Sequence, residues 1–228
     1  MRPFILRIMN SLRGSRNTFP YEYVDDDISN RRVEALIDGA FAIVLTLLAL
    51  EIKSPHADSD LKLTEALIAL SPKIFAYFLS FIILGLLWFG HQMMAHYVKR
   101  SDRNHILLNL LFLMFVALIP FSTALLGENL QYHSATIVYG VNLFITGLIQ
   151  YLHWEYMSSQ NRLIDSELDR RIVRSVQKTF LAIPLVCGLG IGVSFVSIPA
   201  GLLLYGLSTA FGASRMTAIF HRSHYPHA

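Results

Sequence analysis

The sequence predicts an all-α integral membrane protein with six transmembrane helices. Of its 228 residues, 54% are hydrophobic and only 15% are charged, whereas soluble globular chains average about 25% charged residues. The charged residues stand in short groups between long apolar stretches, which is the pattern of membrane spans. Because open sheets leave unpaired backbone groups in lipid, these spans are expected to be helices.

Each span needs about 20 mainly apolar residues, and six segments reach that length. They are residues 33–52, 71–97, 106–126, 135–157, 176–196 and 198–220. Pro199 separates the last two, since proline suits the first turn of a new helix, and Pro120 predicts a kink in the third. The predicted organisation is therefore a cytoplasmic N-terminal segment (1–30), a six-helix transmembrane domain (31–222) and a C-terminal tail (223–228).

Lysine and arginine are concentrated on one side of the predicted bundle. All 19 of them except Lys53, Lys62 and Lys73 lie in segments that share a side with the N-terminus. Because cytoplasmic segments carry the excess of basic residues, both termini are predicted to be cytoplasmic, in agreement with an even number of spans. The same distribution accounts for the net charge of +3, which therefore does not indicate a nucleic-acid partner.

The first span carries a carboxylate, Asp38, about one turn inside the membrane. Ionisable groups in lipid are costly, so Asp38 is expected to bond to polar side chains of neighbouring spans. The candidate partners on the second and third spans are Trp88, His91, Gln92, His96, Asn104, His105 and Asn109. A metal site from Asp38, His91 and His96 is the alternative, but five-residue spacing puts the two imidazoles about 140° apart. The pattern favours a structural network, with no metal and no cofactor.

A second face of the first span carries an aliphatic stripe formed by Ile43, Leu47 and Leu50 at spacings of four and three. Leu36 extends this stripe and Thr46 flanks it. The stripe could be packed core, a lipid-facing surface or the wall of a narrow apolar pore, and helical periodicity alone does not distinguish these.

The later spans contain few polar groups. Asn142 and Gln150 share a face of the fourth span and predict hydrogen bonds between helices, while Trp154 and Tyr156 are interpreted as interface aromatics. The sequence contains no Ser-His-Asp set, phosphate-binding loop or paired carboxylates. It therefore does not predict an enzyme.

Parts of the first three spans resemble a known family. The matching residues are Arg32-Val33-Glu34-Ala35-Leu36-Ile37-Asp38-Gly39-Ala40-Phe41-Ala42-Ile43 with Thr46-Leu47, then Trp88-Phe89-Gly90-His91, Asn109 and Pro120-Phe121. They resemble the transmembrane protein 175 family of potassium channels. In that family the first helix reads Arg, three residues, Phe-Ser-Asp, a Gly-Val-Phe-Ala-Ile-like run and Thr-Leu-Leu. The last three spans match only in layout.

This resemblance implies a passive, potassium-preferring cation channel. Bacterial members have six spans per subunit and form homotetramers in which the first helix lines a central pore. When the family's pore positions are transferred to this sequence through the matching motif, the pore layers fall on Ile43, Leu47 and Leu50. Thr46 then lies beside the constriction. The implied network that holds the first helix consists of Arg32, Asp38, Trp88, His91 and Asn109. The implied location is a bacterial cell membrane, with potassium ions, and also protons, as the conducted species.

One departure from the family is that Leu36-Ile37 stands where the family has Phe-Ser. It removes a hydroxyl and a large aromatic group next to Asp38. The alternatives that stay open are a secondary transporter, a non-conducting membrane scaffold and a membrane metalloenzyme resting on His91 and His96. A transporter would bind its substrate near the midplane at broken helices within inverted repeats, and the sequence indicates neither feature.

Overall fold

The structure is a computed structural model that describes the backbone of residues 26–224 and the side chains of residues 31–219. Most of the predicted segments 1–30 and 223–228 lies outside these residues, so both stay predictions. Within the described range the regular structure is helical, apart from one antiparallel bridge between Val98 and Ile164. The α-helices are α1 (Asp26–Leu50), α2 (Asp60–Ala69), α3 (Ser71–Tyr97), α4 (Arg103–Ala117), α5 (Ile119–Glu128), α6 (His133–Ser158), α7 (Arg170–Ser194) and α8 (Ile198–His224).

Five segments of the described chain are long and apolar enough to cross a membrane. They are Arg31–Leu50, Ser71–Tyr97, Arg103–Glu128, His133–Asn161 and Arg170–Ser194, in the order of the first five predicted spans. The all-helical, multi-pass architecture is thereby confirmed. The last helix, α8, has 27 residues but is not among the five, so the sixth span stays a prediction.

The third predicted span is divided at Leu118, where α4 ends and α5 begins. Pro120 occupies the first turn of α5, where its missing N–H costs least. The hydroxyls of Ser122 and Thr123 donate to the carbonyl oxygen of Ile119 at 3.0 and 2.8 Å. These side-chain bonds lie within the first turn of α5, next to the break. The kink predicted at Pro120 is confirmed.

Two polar side chains of α6 bond to neighbouring helices, as their spacing predicted. Asn142 Nδ2 donates to Ser122 Oγ at 3.1 Å, and Gln150 Nε2 donates to the Leu87 carbonyl at 3.3 Å. The interpretation of Trp154 as an interface aromatic is wrong, because this side chain is fully buried. Its indole donates to the Val173 carbonyl at 3.3 Å, so it holds α6 against α7.

Close approach of α6, α7 and α8 depends on small residues around Tyr205. This side chain is buried, and its hydroxyl donates to the Thr136 carbonyl at 3.4 Å. A Cβ at Gly140 would overlap that hydroxyl, and one at Gly190 would lie 2.5 Å from the Tyr205 ring. Both glycines are therefore required for the packing of this ring.

Replacing Gly140 by alanine is expected to lower the free energy of unfolding by about 1–3 kcal/mol, the usual cost of overpacking a core. The matched control is Gly192→Ala, because a Cβ there meets nothing within 4 Å and alanine favours helix. Thermal unfolding in detergent, followed by circular dichroism, compares the two. Equal unfolding midpoints would contradict the described packing of Tyr205.

Candidate functional site

The first helix, α1, presents two opposite faces. Its packed face consists of the buried residues Ile37, Phe41, Val44 and Leu48. On the other side, Ile43, Leu47 and Leu50 are 61%, 41% and 72% exposed, although they are aliphatic. The stripe is therefore not packed core of this chain. Of the three interpretations drawn from the sequence, a lipid-facing surface and a pore wall remain.

Thr46 lies beside the stripe and is also exposed. Its hydroxyl donates to the Ile43 carbonyl oxygen at 2.7 Å, a bond made within the helix. Because the proton is used in this bond, the Thr46 oxygen offers only its lone pairs to whatever faces the stripe.

Asp38 joins α1 to α3. One carboxylate oxygen of Asp38 accepts from Trp88 Nε1 at 2.8 Å and from Gln92 Nε2 at 2.5 Å. Trp88 and Gln92 lie one turn apart on α3, so their donors converge on a single oxygen. This charge-assisted pair of bonds fixes the middle of α1 against α3.

A second polar group joins α3 to α4. His91 Nε2 lies 2.8 Å from Asn109 Oδ1, and Asn109 Nδ2 donates to the His105 carbonyl at 3.1 Å. The His91 imidazole also stacks on Phe112, with ring centroids 5.5 Å apart. His91 thus bonds to α4 and not to the Asp38 carboxylate.

The five residues of the expected network therefore fall into separate groups. Asp38 bonds to Trp88, and His91 bonds to Asn109. Arg32 is exposed, and among the residues with described side chains none forms a hydrogen bond or ion pair with it. The structure brings four of the five together in two pairs and leaves Arg32 outside both.

Sequence reasoning missed a histidine pair beside this site. His153 Nε2 lies 2.9 Å from His105 Nδ1, and both side chains are buried. His91 and His153 have ring centroids 6.4 Å apart, so three imidazoles from α3, α4 and α6 gather behind α1. Within the described residues no group of three His, Cys, Asp or Glu side chains is arranged to hold a metal ion. The available signal was that each of these three helices carries at least one histidine.

At the same end of the bundle, Asp102 links α4 to α6. Its carboxylate accepts from the His105 N–H at 2.8 Å and from the Tyr156 hydroxyl at 2.6 Å. Partial burial by itself would raise the pKa of Asp102. The two bonds to the charged form, together with the nearby His105 and Arg162 side chains, outweigh burial and lower that pKa below its usual value. The Arg162 guanidinium lies 4.5 Å from the centre of the Tyr156 ring.

Replacing Tyr156 by phenylalanine removes the hydroxyl and retains the ring under Arg162. Asp102 has a depressed pKa in the folded state, so its contribution to stability is present above the unfolded-state pKa and disappears as pH falls through the folded-state pKa. The variant is expected to unfold about 2–4 °C lower at neutral pH and to lose less stability on acidification. Unfolding midpoints measured from neutral to acidic pH check this.

The control for this comparison is Tyr132→Phe, because the exposed Tyr132 hydroxyl bonds to no described residue. The unfolding midpoints of wild type and the control should change in the same way as the pH is lowered. If Tyr156→Phe also follows the wild-type curve at every pH, the hydroxyl does not stabilise the Asp102 carboxylate.

The positions that depart from the family pattern lie on different faces of α1. Leu36 is 54% exposed and continues the stripe, while Ile37 is buried against the rest of the chain. Asp38, the next residue, keeps both of its bonds to α3. The aliphatic pair therefore does not prevent the contact between Asp38 and α3.

This chain is a multi-pass helical membrane protein, because five of its described segments are able to span a membrane. The first of them also carries an uncovered aliphatic stripe. Its residues 32–120 match the family described as the endosomal/lysosomal potassium channel TMEM175. A potassium channel of Streptomyces collinus is 39% identical over 180 residues, which cover 77% of this chain and 87% of the relative. The chain belongs to the TMEM175 family of potassium channels, and the resemblance noted in the sequence is confirmed.

A relative of known structure and a vertebrate relative agree with this assignment. A crystal structure of a lysosomal potassium-selective channel TMEM175 homolog from Chamaesiphon minutus superimposes with a TM-score of 0.74 at 28% identity, covering 82% of this chain and 98% of that one. The human endosomal/lysosomal proton channel TMEM175 is 42% identical over 103 residues, which cover 42% of this chain and 20% of the human protein.

Proposed function

We propose that this protein is a passive, potassium-preferring cation channel of the cell membrane, in which four copies arrange α1 around a central pore. The observation that carries the proposal is the aliphatic stripe of Ile43, Leu47 and Leu50, which the other helices of the chain leave uncovered. A lipid-facing stripe would explain the exposure equally well, but the potassium-channel relatives favour the pore.

The constriction is formed by four copies of Ile43, followed by rings of Leu47 and Leu50. Such a ring is too apolar to hold water when narrow, so it acts as a hydrophobic gate that conducts after the helices move apart and the pore wets. Potassium loses its hydration water more easily than sodium, which gives a modest preference without a carbonyl filter. Thr46 adds an oxygen acceptor beside the ring.

The polar groups behind α1 hold the pore helix in position. Asp38 binds α1 to α3 through Trp88 and Gln92, and the His91–Asn109 bond fixes α3 to α4. Together they form the frame against which α1 moves. Arg32, at the predicted cytoplasmic entrance, contributes positive charge and is not needed for this frame.

The proposed topology has α8 as the sixth span and both termini in the cytoplasm. Most lysines and arginines then face the cytoplasm. The channel domain covers residues 31–222, and the cell membrane of a bacterium is the proposed location. Protons are a second candidate for the conducted ion, because the matching human protein is described as a proton channel.

Potassium, sodium and proton fluxes from liposomes that contain the purified protein test this function. Potassium flux should be passive, should exceed sodium flux, and should come from a species that chemical cross-linking resolves as a tetramer. Saturating flux that depends on a driving ion would identify a secondary transporter. Absence of flux for all three ions would leave a non-conducting scaffold.

A further inference from the structure

The first turns of α7 carry four basic side chains on one side of the helix. Arg170, Arg171, Arg174 and Lys178 are all exposed. At 3.6 residues per turn they fall within an arc of about 100° and extend over about 12 Å of the helix axis. We call these four residues the basic face of α7. The side away from it is packed, with Val176 and Phe180 buried in the bundle.

Acidic side chains near the basic face are not paired with it. Within residues 31–219, none of its four side chains forms an ion pair. The adjacent acids bond elsewhere: Asp169 accepts from the Arg171 backbone N–H at 2.8 Å, and Asp165 accepts from the Glu167 N–H at 3.0 Å. Glu155 accepts from Gln177. The four basic side chains are therefore available to an anionic partner outside the chain.

The position of the basic face along the helix indicates which kind of partner it meets. Lys178 is the last charged residue of α7, and residues 179–194 contain no charge. The basic face thus lies where a membrane-spanning helix leaves the hydrocarbon, at the level of the lipid phosphates. Long Arg and Lys side chains reach this layer with their stems along apolar surface.

From these observations we infer that the basic face of α7 binds the phosphate groups of anionic phospholipids. Charge complementarity with a bilayer that contains such lipids favours this partner, since basic clusters beside a membrane span attract acidic headgroups. Arginine contributes paired N–H donors that fit phosphate oxygens. The inference is independent of ion conduction and of which leaflet the face meets.

Spin-labelled lipids provide the test. The purified protein is reconstituted in phosphatidylcholine vesicles that contain a trace of labelled phosphatidylglycerol or labelled phosphatidylcholine. Electron spin resonance then gives the fraction of each label immobilised at the protein. We expect phosphatidylglycerol to be preferred, and the preference to fall about fivefold in R170Q/R171Q/R174Q/K178Q. The charge-retaining variant R170K/R171K/R174K should keep most of it.

A matched control replaces Lys99, Arg100 and Arg103 by glutamine. These residues are exposed and lie at the same end of the bundle, where Lys99 N donates to the Leu163 carbonyl at 2.8 Å. An equal loss in this control would overturn the assignment to α7 and indicate a diffuse surface effect. Displacement of the label by soluble glycerophosphoglycerol would overturn the bilayer lipid as partner.

Salt dependence keeps the inference testable if the quadruple variant does not fold. In wild type the preference for phosphatidylglycerol must weaken as sodium chloride is raised, because salt screens exposed charges. A preference that does not change with salt, or no preference at low salt, would overturn the inference.

Discussion

Replacing Ile43 by asparagine is expected to raise sodium permeation and to bring the sodium and potassium permeabilities close together. Four amides in place of four aliphatic side chains would let water and hydrated ions enter the proposed constriction. We expect sodium flux to rise about tenfold, which corresponds to a barrier lowered by about 1.4 kcal/mol. Parallel sodium and potassium fluxes from liposomes measure the change, and it should exceed that of any other single substitution in the stripe.

Leu185→Asn is the matched control for Ile43→Asn. Leu185 is 58% exposed, nearly as much as Ile43, but lies on α7 and outside the proposed pore. Its replacement by the same amide should leave the ratio of the two fluxes unchanged. An unchanged ratio in Ile43→Asn would remove Ile43 from the constriction, and an equal change in both variants would indicate a general loosening of the bundle.

The membrane architecture was predictable because its causes are local in sequence. A long apolar segment must span or be buried, so each of the first five predicted spans coincides with helix in the structure. The starts agree less well at two of them, because α1 begins at Asp26 where residue 33 was predicted and α7 begins at Arg170 where residue 176 was predicted. Pro120 predicts a kink wherever it falls inside a helix, since it lacks the N–H and clashes with the preceding turn. The partners of Asp38 were also predictable as a group, because a membrane carboxylate requires donors from its neighbours.

The rotation of each helix about its axis was not predictable. Trp88, His91 and Gln92 share one broad face by spacing, yet His91 turns toward Asn109 while the other two bind Asp38. The same uncertainty hid the contact between His105 and His153, which are 48 residues apart in sequence. Trp154 was misassigned for this reason too, because the sequence does not show that α7 covers it.

The short helix α2 was missed because its 10 residues are too few for a membrane span. Its start is set by Ser59, whose hydroxyl accepts from the Lys62 N–H at 3.4 Å, an N-cap interaction that is recognisable in retrospect. None of its residues is buried. Packing within the chain therefore does not determine this helix.

The partner of the stripe on α1 lies outside a single chain. The stripe is exposed because α1 packs on the rest of the chain through its other side, which carries Ile37, Phe41, Val44 and Leu48. Whether lipid or three other copies cover the stripe depends on contacts between chains. The relatives favour a pore, and the Ile43 comparison tests it directly.

Replacing Asp38 by alanine is expected to have the largest effect on stability among substitutions at the site. The Trp88 indole and the Gln92 amide would both lose their acceptor, and bonds to a charged group contribute about 1.5–3 kcal/mol each. A loss of roughly 2–4 kcal/mol would lower the unfolding midpoint by about 5–10 °C. Thermal unfolding in detergent measures this, and potassium flux should fall with it because α1 loses its attachment to α3.

Two variants make the Asp38 result specific. Asp38→Asn keeps one acceptor oxygen and should unfold between wild type and Asp38→Ala. Asp58→Ala removes an exposed carboxylate whose only described ion pair is with Lys62 at 3.9 Å, a surface pair of little energetic value, and should match wild type. If Asp38→Ala and Asp58→Ala unfold at the same temperature, the bonds from Trp88 and Gln92 do not hold α1, and its anchor must be sought in the buried apolar face of the helix.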